Sequence, residues 1–173
     1  MKYKKLICFD FDKTLCNTCE PEEGKIIWKE KTGYDYPHVG WWSKPETLDL
    51  NIFDTPLNRP VYNEYLKAVS DSDNFVILAT GRIERLRKEV EKILNKYNLS
   101  FDGVFLKRGP GDTFYFKRTL FERFISELQP EEFIMYDDRE EHLVDFKEWA
   151  KTMPCDVTII DVINMTTTKI KNK

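Results

Sequence analysis

An apolar segment that runs directly into two carboxylates constrains this chain more than any other feature. Residues 7–9 (Ile-Cys-Phe) are apolar, and Asp10 and Asp12 follow on alternate positions. A strand this apolar needs both faces covered, so the two acids belong where the strand ends and the core opens to solvent. Carboxylates held this close repel each other, and a divalent cation relieves the repulsion. The alternative is an acidic turn in which Asp12 caps local backbone groups.

The pattern of apolar residues predicts alternating strands and helices. Apolar runs predict strands at about residues 5–10, 75–79, 101–106, 133–136 and 156–162. Helical periodicity predicts helices at about residues 60–70, 83–97, 116–128 and 140–150. This alternation favours an α/β fold with a parallel sheet covered on both faces. We therefore expect a single domain over residues 1–163, followed by a frayed or disordered polar tail at residues 164–173.

A segment at about residues 16–58 breaks the alternation directly after the acidic pair. It is rich in Trp, Tyr and Pro, and we expect a strand at residues 26–29 and a loop at residues 41–45. Its tryptophans, which include Trp41 and Trp42, either form a small core under a long loop or contact a substrate.

Charge and cysteine content narrow the class of protein further. The net charge of −3 gives no general attraction to nucleic acid, although it is compatible with a local basic patch. The sequence contains no bilayer-spanning apolar run and no signal-peptide pattern, so we expect a cytoplasmic protein with reduced thiols. Cys16 and Cys19 have the spacing of a zinc-binding pair, but a zinc site needs about four ligands and no second pair is evident.

Four short motifs, in this order along the chain, resemble those of the haloacid dehalogenase (HAD) superfamily of phosphotransferases. They are Asp10-Phe11-Asp12-Lys13-Thr14, the strand end at Thr80, Lys117, and the acidic pair Asp137-Asp138. Residues 41–48, 78–82, 99–107 and 136–142 are similar to the Swiss Army Knife RNA repair type of HAD domain, and the similarity covers about residues 6–146. The resemblance implies a three-layer Rossmann-like fold. It also implies that the segment after the first strand forms a flap or minimal cap over an open site.

The resemblance further implies a phosphatase that works through an aspartyl-phosphate. Asp10 would be the nucleophile and Asp12 the general acid and base. Mg²⁺ would be bound by Asp10, Asp138 and the Asp12 backbone carbonyl, with Asp137 steadying these ligands or exchanging roles with Asp138. The substrate would carry a terminal phosphate on RNA, DNA or a nucleotide. The alternatives are a phosphatase for a small metabolite or a phosphoprotein, and a binding module without catalysis.

The phosphate itself would be bound by the end of the second predicted strand. Thr80 and the Gly81 amide, at a helix start, would contact phosphate oxygens, although a plain strand-to-helix turn is the alternative. Arg82 either reaches the substrate or pairs with nearby acids. Lys13 stands where the family commonly has Gly, and its charge would influence substrate choice.

Two lysines are candidates for the catalytic cation. Lys117 opens a predicted helix before the acidic strand, where the family usually places this residue. Lys107 ends the preceding strand and also lies near the predicted opening. We favour Lys117, for which the alternative is an ordinary solvated lysine on a helix.

Overall fold

The structure, a computed structural model, describes residues 3–172. Its strands are β1 (Lys5–Phe9), β2 (Asn74–Ile83), β3 (Gly103–Lys107), β4 (Glu132–Asp137), β5 (Asp156–Asp161) and β6 (Thr166–Ile170). Its helices are α1 (Pro21–Thr32), α2 (Arg59–Ser70), α3 (Arg87–Lys96), α4 (Thr113–Leu128) and α5 (Glu140–Ala150). The strands form one sheet in the order β3-β2-β1-β4-β5-β6, in which only β6 is antiparallel to its neighbour. The predicted α/β fold with a mainly parallel sheet is confirmed.

The central position of β1 determines where the acidic motif lies. β2 pairs with one edge of β1 and β4 with the other, and Phe9 is level with Leu78 and with Tyr136. Because the carboxyl ends of parallel strands meet at one edge of the sheet, the residues that follow these three positions lie side by side.

Helices cover both faces of the sheet, as the apolar sequence of β1 requires. Ile7 and Phe9 belong to one buried cluster with side chains of α2 and α3. Leu6 and Cys8 belong to a second buried cluster with side chains of α4 and α5. The sheet is therefore the middle layer of three, and burial on both faces explains why β1 lacks a polar alternation.

The segment between β1 and α2, residues 16–58, forms an insert that leaves and returns at one point. Cys16 forms an isolated antiparallel bridge with Leu57. Nearby, the Asn17 amide donates to the Pro56 carbonyl at 2.7 Å, and the Asn58 amide donates to the Leu15 carbonyl at 2.9 Å. The insert contains α1 and a short 3₁₀ helix at Pro45–Leu48.

The predicted strand at residues 26–29 is wrong, because these residues lie inside α1. Pro21 occupies the first turn, where its missing N–H costs nothing. Gly33 ends the helix in a left-handed conformation at φ 78°. These capping signals outweigh the short apolar run Ile26-Ile27-Trp28, of which Ile26 is 61% exposed.

The largest other differences from the prediction lie at the end of β2 and in the C-terminal tail. The helix expected from Ile83 begins only at Arg87, because β2 continues through Gly81 to Ile83 and a 3₁₀ turn follows. Part of the expected disordered tail is instead β6, which pairs with β5; residue 173 lies outside the described residues. Its Thr166-Thr167-Thr168 run is β-branched, and such residues suit a pleated strand.

Two remaining expectations concern the state of the cysteines and the presence of a membrane-spanning helix. Among the described residues, no disulfide joins any of the four cysteines, and Cys19 is the least buried of them. Over residues 3–172, no helix has the length and apolar composition that crossing a bilayer requires.

Candidate active site

Three carboxylates meet at the carboxyl ends of β1 and β4. Asp10 follows β1 directly, and its amide donates to the Tyr136 carbonyl at 3.0 Å, which fixes it beside Asp137. Oxygen atoms of Asp10, Asp137 and Asp138 lie within 4.8 Å of one another. Asp10 and Asp137 are buried, whereas Asp138 is partly exposed. The sheet register therefore brings together acids that are more than 120 positions apart in the chain.

Lys117 neutralises part of this acidic cluster from α4. Its Nζ donates to Asp10 Oδ1 at 2.9 Å and to Asp137 Oδ2 at 2.6 Å, and its side chain is 3% exposed. Burial alone would lower the pKa of Lys117, but the charges of Asp10 and Asp137 outweigh it and raise the pKa. The lysine is thus held in its charged form.

A single lysine leaves the three carboxylates with excess negative charge. Burial raises the pKa of Asp10; Lys117 offsets part of this rise, and the charges of Asp137 and Asp138 add to it. Burial also raises the pKa of Asp138, and the charge of Asp137 contributes further. A cation would relieve this repulsion, and three convergent carboxylates are the oxygen ligands that Mg²⁺ prefers. The residues present therefore fit a magnesium site.

The two acids of the first motif point to different partners. The Asp12 side chain lies outside the three-carboxylate cluster and pairs with Arg82, whose Nη2 is 2.8 Å from Asp12 Oδ1. Arg82 is 2% exposed. Of the two alternatives for Arg82, the structure therefore shows pairing with a nearby acid.

Thr80 lies near the end of β2, one strand away from Asp10, and is fully buried. Its Oγ1 accepts a hydrogen bond from the Arg82 amide at 3.1 Å, which leaves the hydroxyl hydrogen free to donate. Gly81 lies within the strand rather than at a helix start. A Cβ at Gly81 would come within 3.0 Å of the Thr113 side chain, so α4 packs closely against this strand end.

The two lysine candidates differ clearly in their surroundings. Lys107 donates its Nζ to the Gly111 carbonyl at 2.7 Å and lies 3.4 Å from Thr113 Oγ1, at the edge of the sheet. Within residues 3–172, Lys107 forms no hydrogen bond or ion pair with Asp10, Asp137 or Asp138, whereas Lys117 contacts Asp10 and Asp137 directly. The geometry therefore favours Lys117 for the cationic role.

Lys13 lies beside the insert, and Trp41 and Trp42 lie within it. Lys13 adopts a left-handed backbone conformation at φ 56°, and its Nζ is 3.6 Å from Glu20 Oε1. It borders a cleft of about 640 Å³ between the start of the insert and residues 50–56. Trp41 is 4% exposed and packs against Gly24 of α1 and the ring of Phe53, so it forms a small core of the insert. The Trp42 ring instead stacks on the guanidinium of Arg82.

Three threonines near the site were not singled out from the sequence. Thr14 Oγ1 lies 3.5 Å from Asp138 Oδ1, Thr18 Oγ1 donates to Asp12 Oδ1 at 2.9 Å, and Thr47 Oγ1 accepts from Arg82. Thr14 belongs to the first motif, so its position could have been anticipated. The other two lie in the irregular insert, where no periodicity indicates which side chains face the sheet.

The parallel sheet, the acidic end of its central strand and the insert after that strand define a domain of the HAD type. The sequence model of a family described as HAD domain family 1 in Swiss Army Knife RNA repair proteins matches residues 24–172, so the chain belongs to this family. The matched residues include Thr80, Lys117 and Asp137-Asp138; Asp10 and Asp12 precede them.

Two solved structures share the fold. One is described as the structure of a Pnkp1/Rnl/Hen1 complex, with a TM-score of 0.54, 22% identity and 88% of this chain covered. The other is described as the structure of the Pnkp1/Rnl/Hen1 RNA repair complex, with a TM-score of 0.53, 22% identity and 92% of this chain covered. This chain spans 44% of the length of each matched chain. A comparison with curated proteins gave no match.

Proposed function

We propose that the protein is a magnesium-dependent phosphatase that hydrolyses a phosphomonoester through an aspartyl-phosphate. The observation that carries this proposal is the meeting of Asp10, Lys117, Asp137 and Asp138 at the carboxyl end of the central strand. Membership in a family of HAD domains from RNA repair proteins supports the same chemistry.

In the first step, an oxygen of Asp10 would attack phosphorus in line with the ester oxygen. The new Asp10–phosphorus bond forms as the ester P–O bond breaks, and Asp12 gives a proton to the leaving oxygen. In the second step, water attacks phosphorus, Asp12 takes a proton from that water, and inorganic phosphate leaves with Asp10 restored.

Repulsion between a buried carboxylate and a phosphate dianion opposes this reaction. A bound Mg²⁺ would supply charge neutralisation there, with Asp10, Asp137, Asp138 and the Asp12 carbonyl as the candidate ligands. Lys117 would contribute a fixed positive charge on Asp10, and Thr80 a hydroxyl donor to a phosphate oxygen.

For the substrate, we favour a terminal phosphate on a nucleic acid or nucleotide. A cleft of about 690 Å³ on the α4 side of β3 is lined by the basic residues Arg87, Lys107, Arg108 and Arg123 and by the exposed ring of Tyr115. Basic side chains interleaved with aromatic rings suit a phosphodiester backbone with stacked bases. Lys107 contacts Thr113, which packs against Gly81, so the cleft adjoins the strand end that carries Thr80.

Phosphate release tests the proposal, measured with magnesium or with EDTA. The substrates are 4-nitrophenyl phosphate, mononucleotides, and oligonucleotides with a 3′- or a 5′-phosphate. We expect magnesium-dependent release that Asp10→Asn abolishes with folding intact. Asp145→Asn, at an exposed acid of α5, is the matched control and should retain activity.

The pattern of turnover separates the alternatives. Preference for one oligonucleotide end supports the nucleic-acid substrate, and Arg108→Ala should then raise KM for oligonucleotides more than for mononucleotides. Turnover confined to small phosphates would favour a metabolite phosphatase. Full activity of Asp10→Asn would overturn the mechanism, and phosphate binding without any turnover would favour a non-catalytic module.

A further inference from the structure

Arg82 is a large cation buried without direct access to solvent, with a side chain that is 1% exposed. Its Nε lies 3.1 and 3.0 Å from the two oxygens of Asp12, and its Nη2 donates to Asp12 Oδ1 at 2.8 Å. This planar arrangement fixes the carboxylate in rotation as well as in position.

The other side of the same guanidinium holds the insert. Its Nη1 donates to the Trp42 carbonyl and to Thr47 Oγ1, both at 2.9 Å. Its central carbon lies 4.9 Å from the centre of the Trp42 ring, which adds a cation–π contact. Arg82 thus contacts the catalytic-motif acid and the insert at once.

The two carboxylate oxygens of Asp12 accept different numbers of hydrogen bonds. Oδ1 accepts hydrogen bonds from Arg82 and from Thr18, which also belongs to the insert. Over residues 3–172, Oδ2 accepts a hydrogen bond from Arg82 Nε alone. Oδ2 therefore keeps the greater unused hydrogen-bonding capacity, and the contacts with Arg82 and Thr18 determine which way it faces.

We propose that Arg82 is a positioning residue that couples the seating of the insert to the orientation of Asp12. This inference rests on the proposed function, in which Asp12 transfers the proton to the leaving group. When the insert packs against Arg82, Trp42 and Thr47 hold the guanidinium in place. The guanidinium in turn holds Asp12 so that Oδ2 faces the substrate side. The insert then sets the efficiency of proton transfer in addition to covering the site. Arg82 acts through Asp12 and does not contact substrate.

The leaving group provides a readout that a purely structural role would not affect. 4-Nitrophenolate leaves without a proton, whereas the alkoxide of an alkyl phosphate needs one. General acid catalysis contributes about 10²–10⁴-fold. We therefore expect Arg82→Lys, which keeps the charge but loses the planar fork, to lower kcat/KM about 100-fold for an alkyl phosphate and less than about 5-fold for 4-nitrophenyl phosphate.

Two further variants sharpen this experiment. Thr47→Val removes one anchor of Arg82 from the insert, and a smaller loss with the same dependence on the leaving group is expected. Arg85→Lys is the matched control, because Arg85 Nη2 donates to the Ser43 carbonyl of the insert at 2.8 Å and, in the described part of the chain, Arg85 forms no hydrogen bond with Asp12. It should show no dependence on the leaving group.

Coupling is reciprocal, so loss of the Asp12 charge should loosen the insert. Hydrogen exchange of amides in residues 41–48 should become about tenfold faster in Asp12→Asn than in the wild type, since a charged hydrogen-bond partner of Arg82 is lost. This measurement needs no turnover, and it tests the coupling even if Arg82→Lys fails to fold.

The possible failures are distinguishable. Absence of any Asp10-dependent turnover in the wild type would overturn the proposed function and, with it, the catalytic part of this inference. Turnover with equal losses on both substrates, or with a change in KM alone, would overturn the positioning role while leaving the phosphatase intact. Unchanged exchange in Asp12→Asn would overturn the coupling.

Discussion

Removal of the buried Lys117 charge provides the most direct test of the acidic cluster. Its Nζ lies 2.9 Å from Asp10 and 2.6 Å from Asp137, and both carboxylates are buried. Breaking a buried ion pair by removing one partner costs about 3–5 kcal/mol, because a charge is left without compensation. For Lys117→Met we therefore expect the Tm to fall by roughly 6–20 °C, at about 2–4 °C per kcal/mol for a chain of this length.

The loss should depend on pH in a definite direction. The raised pKa of Lys117 means that its stabilisation is fully present below the unfolded-state pKa, about 10.4, and so is constant from pH 6 to 9. Burial already raises the pKa of Asp10, and loss of Lys117 raises it further. A carboxyl group with a raised folded-state pKa loses stabilisation as pH rises above its unfolded-state value. Burial raises the pKa of Asp10 to about 8 in the wild type, so both proteins lose this stabilisation equally up to that pH, and above it only the variant loses more. The difference in unfolding free energy between wild type and variant should therefore be larger at pH 9 than at pH 6.

Urea unfolding at pH 6 and pH 9, followed by tryptophan fluorescence in EDTA, measures this difference. Lys107→Met is the matched control, because within residues 3–172 the Lys107 side chain donates hydrogen bonds only to Gly111 and Thr113. Its loss should be about 0.5 kcal/mol. Equal losses for the two lysines, or a Lys117→Met loss that shrinks as pH rises, would refute the reasoning.

Three other perturbations test the metal site, the insert and the sheet edge. Magnesium at about 100 times its Kd should stabilise the wild type by about 2.7 kcal/mol in a thermal-shift assay, and Asp138→Asn should lose most of that shift. Gly24→Ala should cost about 1–3 kcal/mol in urea unfolding, because the added Cβ would lie 2.1 Å from the buried Trp41 ring; Gly109→Ala, with open space around it, is the neutral comparison. Deletion of residues 166–173 should expose the edge of β5 and increase light scattering on warming; unchanged scattering would contradict this role for β6.

Features with a strong periodic signal were predictable from the sequence. The apolar run before Asp10 required a strand buried on both faces, and β1 lies in the middle of the sheet. The helix at residues 140–150 has the predicted bounds, because its buried positions, such as Leu143 and Phe146, recur at helical spacing.

Features decided by tertiary contacts were not predictable. The run Ile26-Ile27-Trp28 suits a strand locally, but it lies in a helix whose ends are fixed by Pro21 and Gly33. From the sequence alone, the Thr-rich stretch of β6 resembles a polar tail. It forms a strand because the edge of β5 is available for pairing. Arg82 could be placed near the acids, but not between Asp12 and Thr47, since nothing local shows that residues 70 and 35 positions away are its partners.

During synthesis, the central strand β1 is made long before the elements that pair with one of its edges and neutralise Asp10. Asp10 is made first, yet Lys117 follows 107 residues later, and β4 brings Asp137 after that. Contacts this distant in sequence form slowly, because a long loop must close before they contribute. Nascent β1 and β2 therefore lack both the helix that neutralises Asp10 and the strand that covers the other edge of β1. A chain truncated before residue 113 would expose an unpaired sheet edge, and the acidic cluster assembles only when α4 and β4 pack against β1.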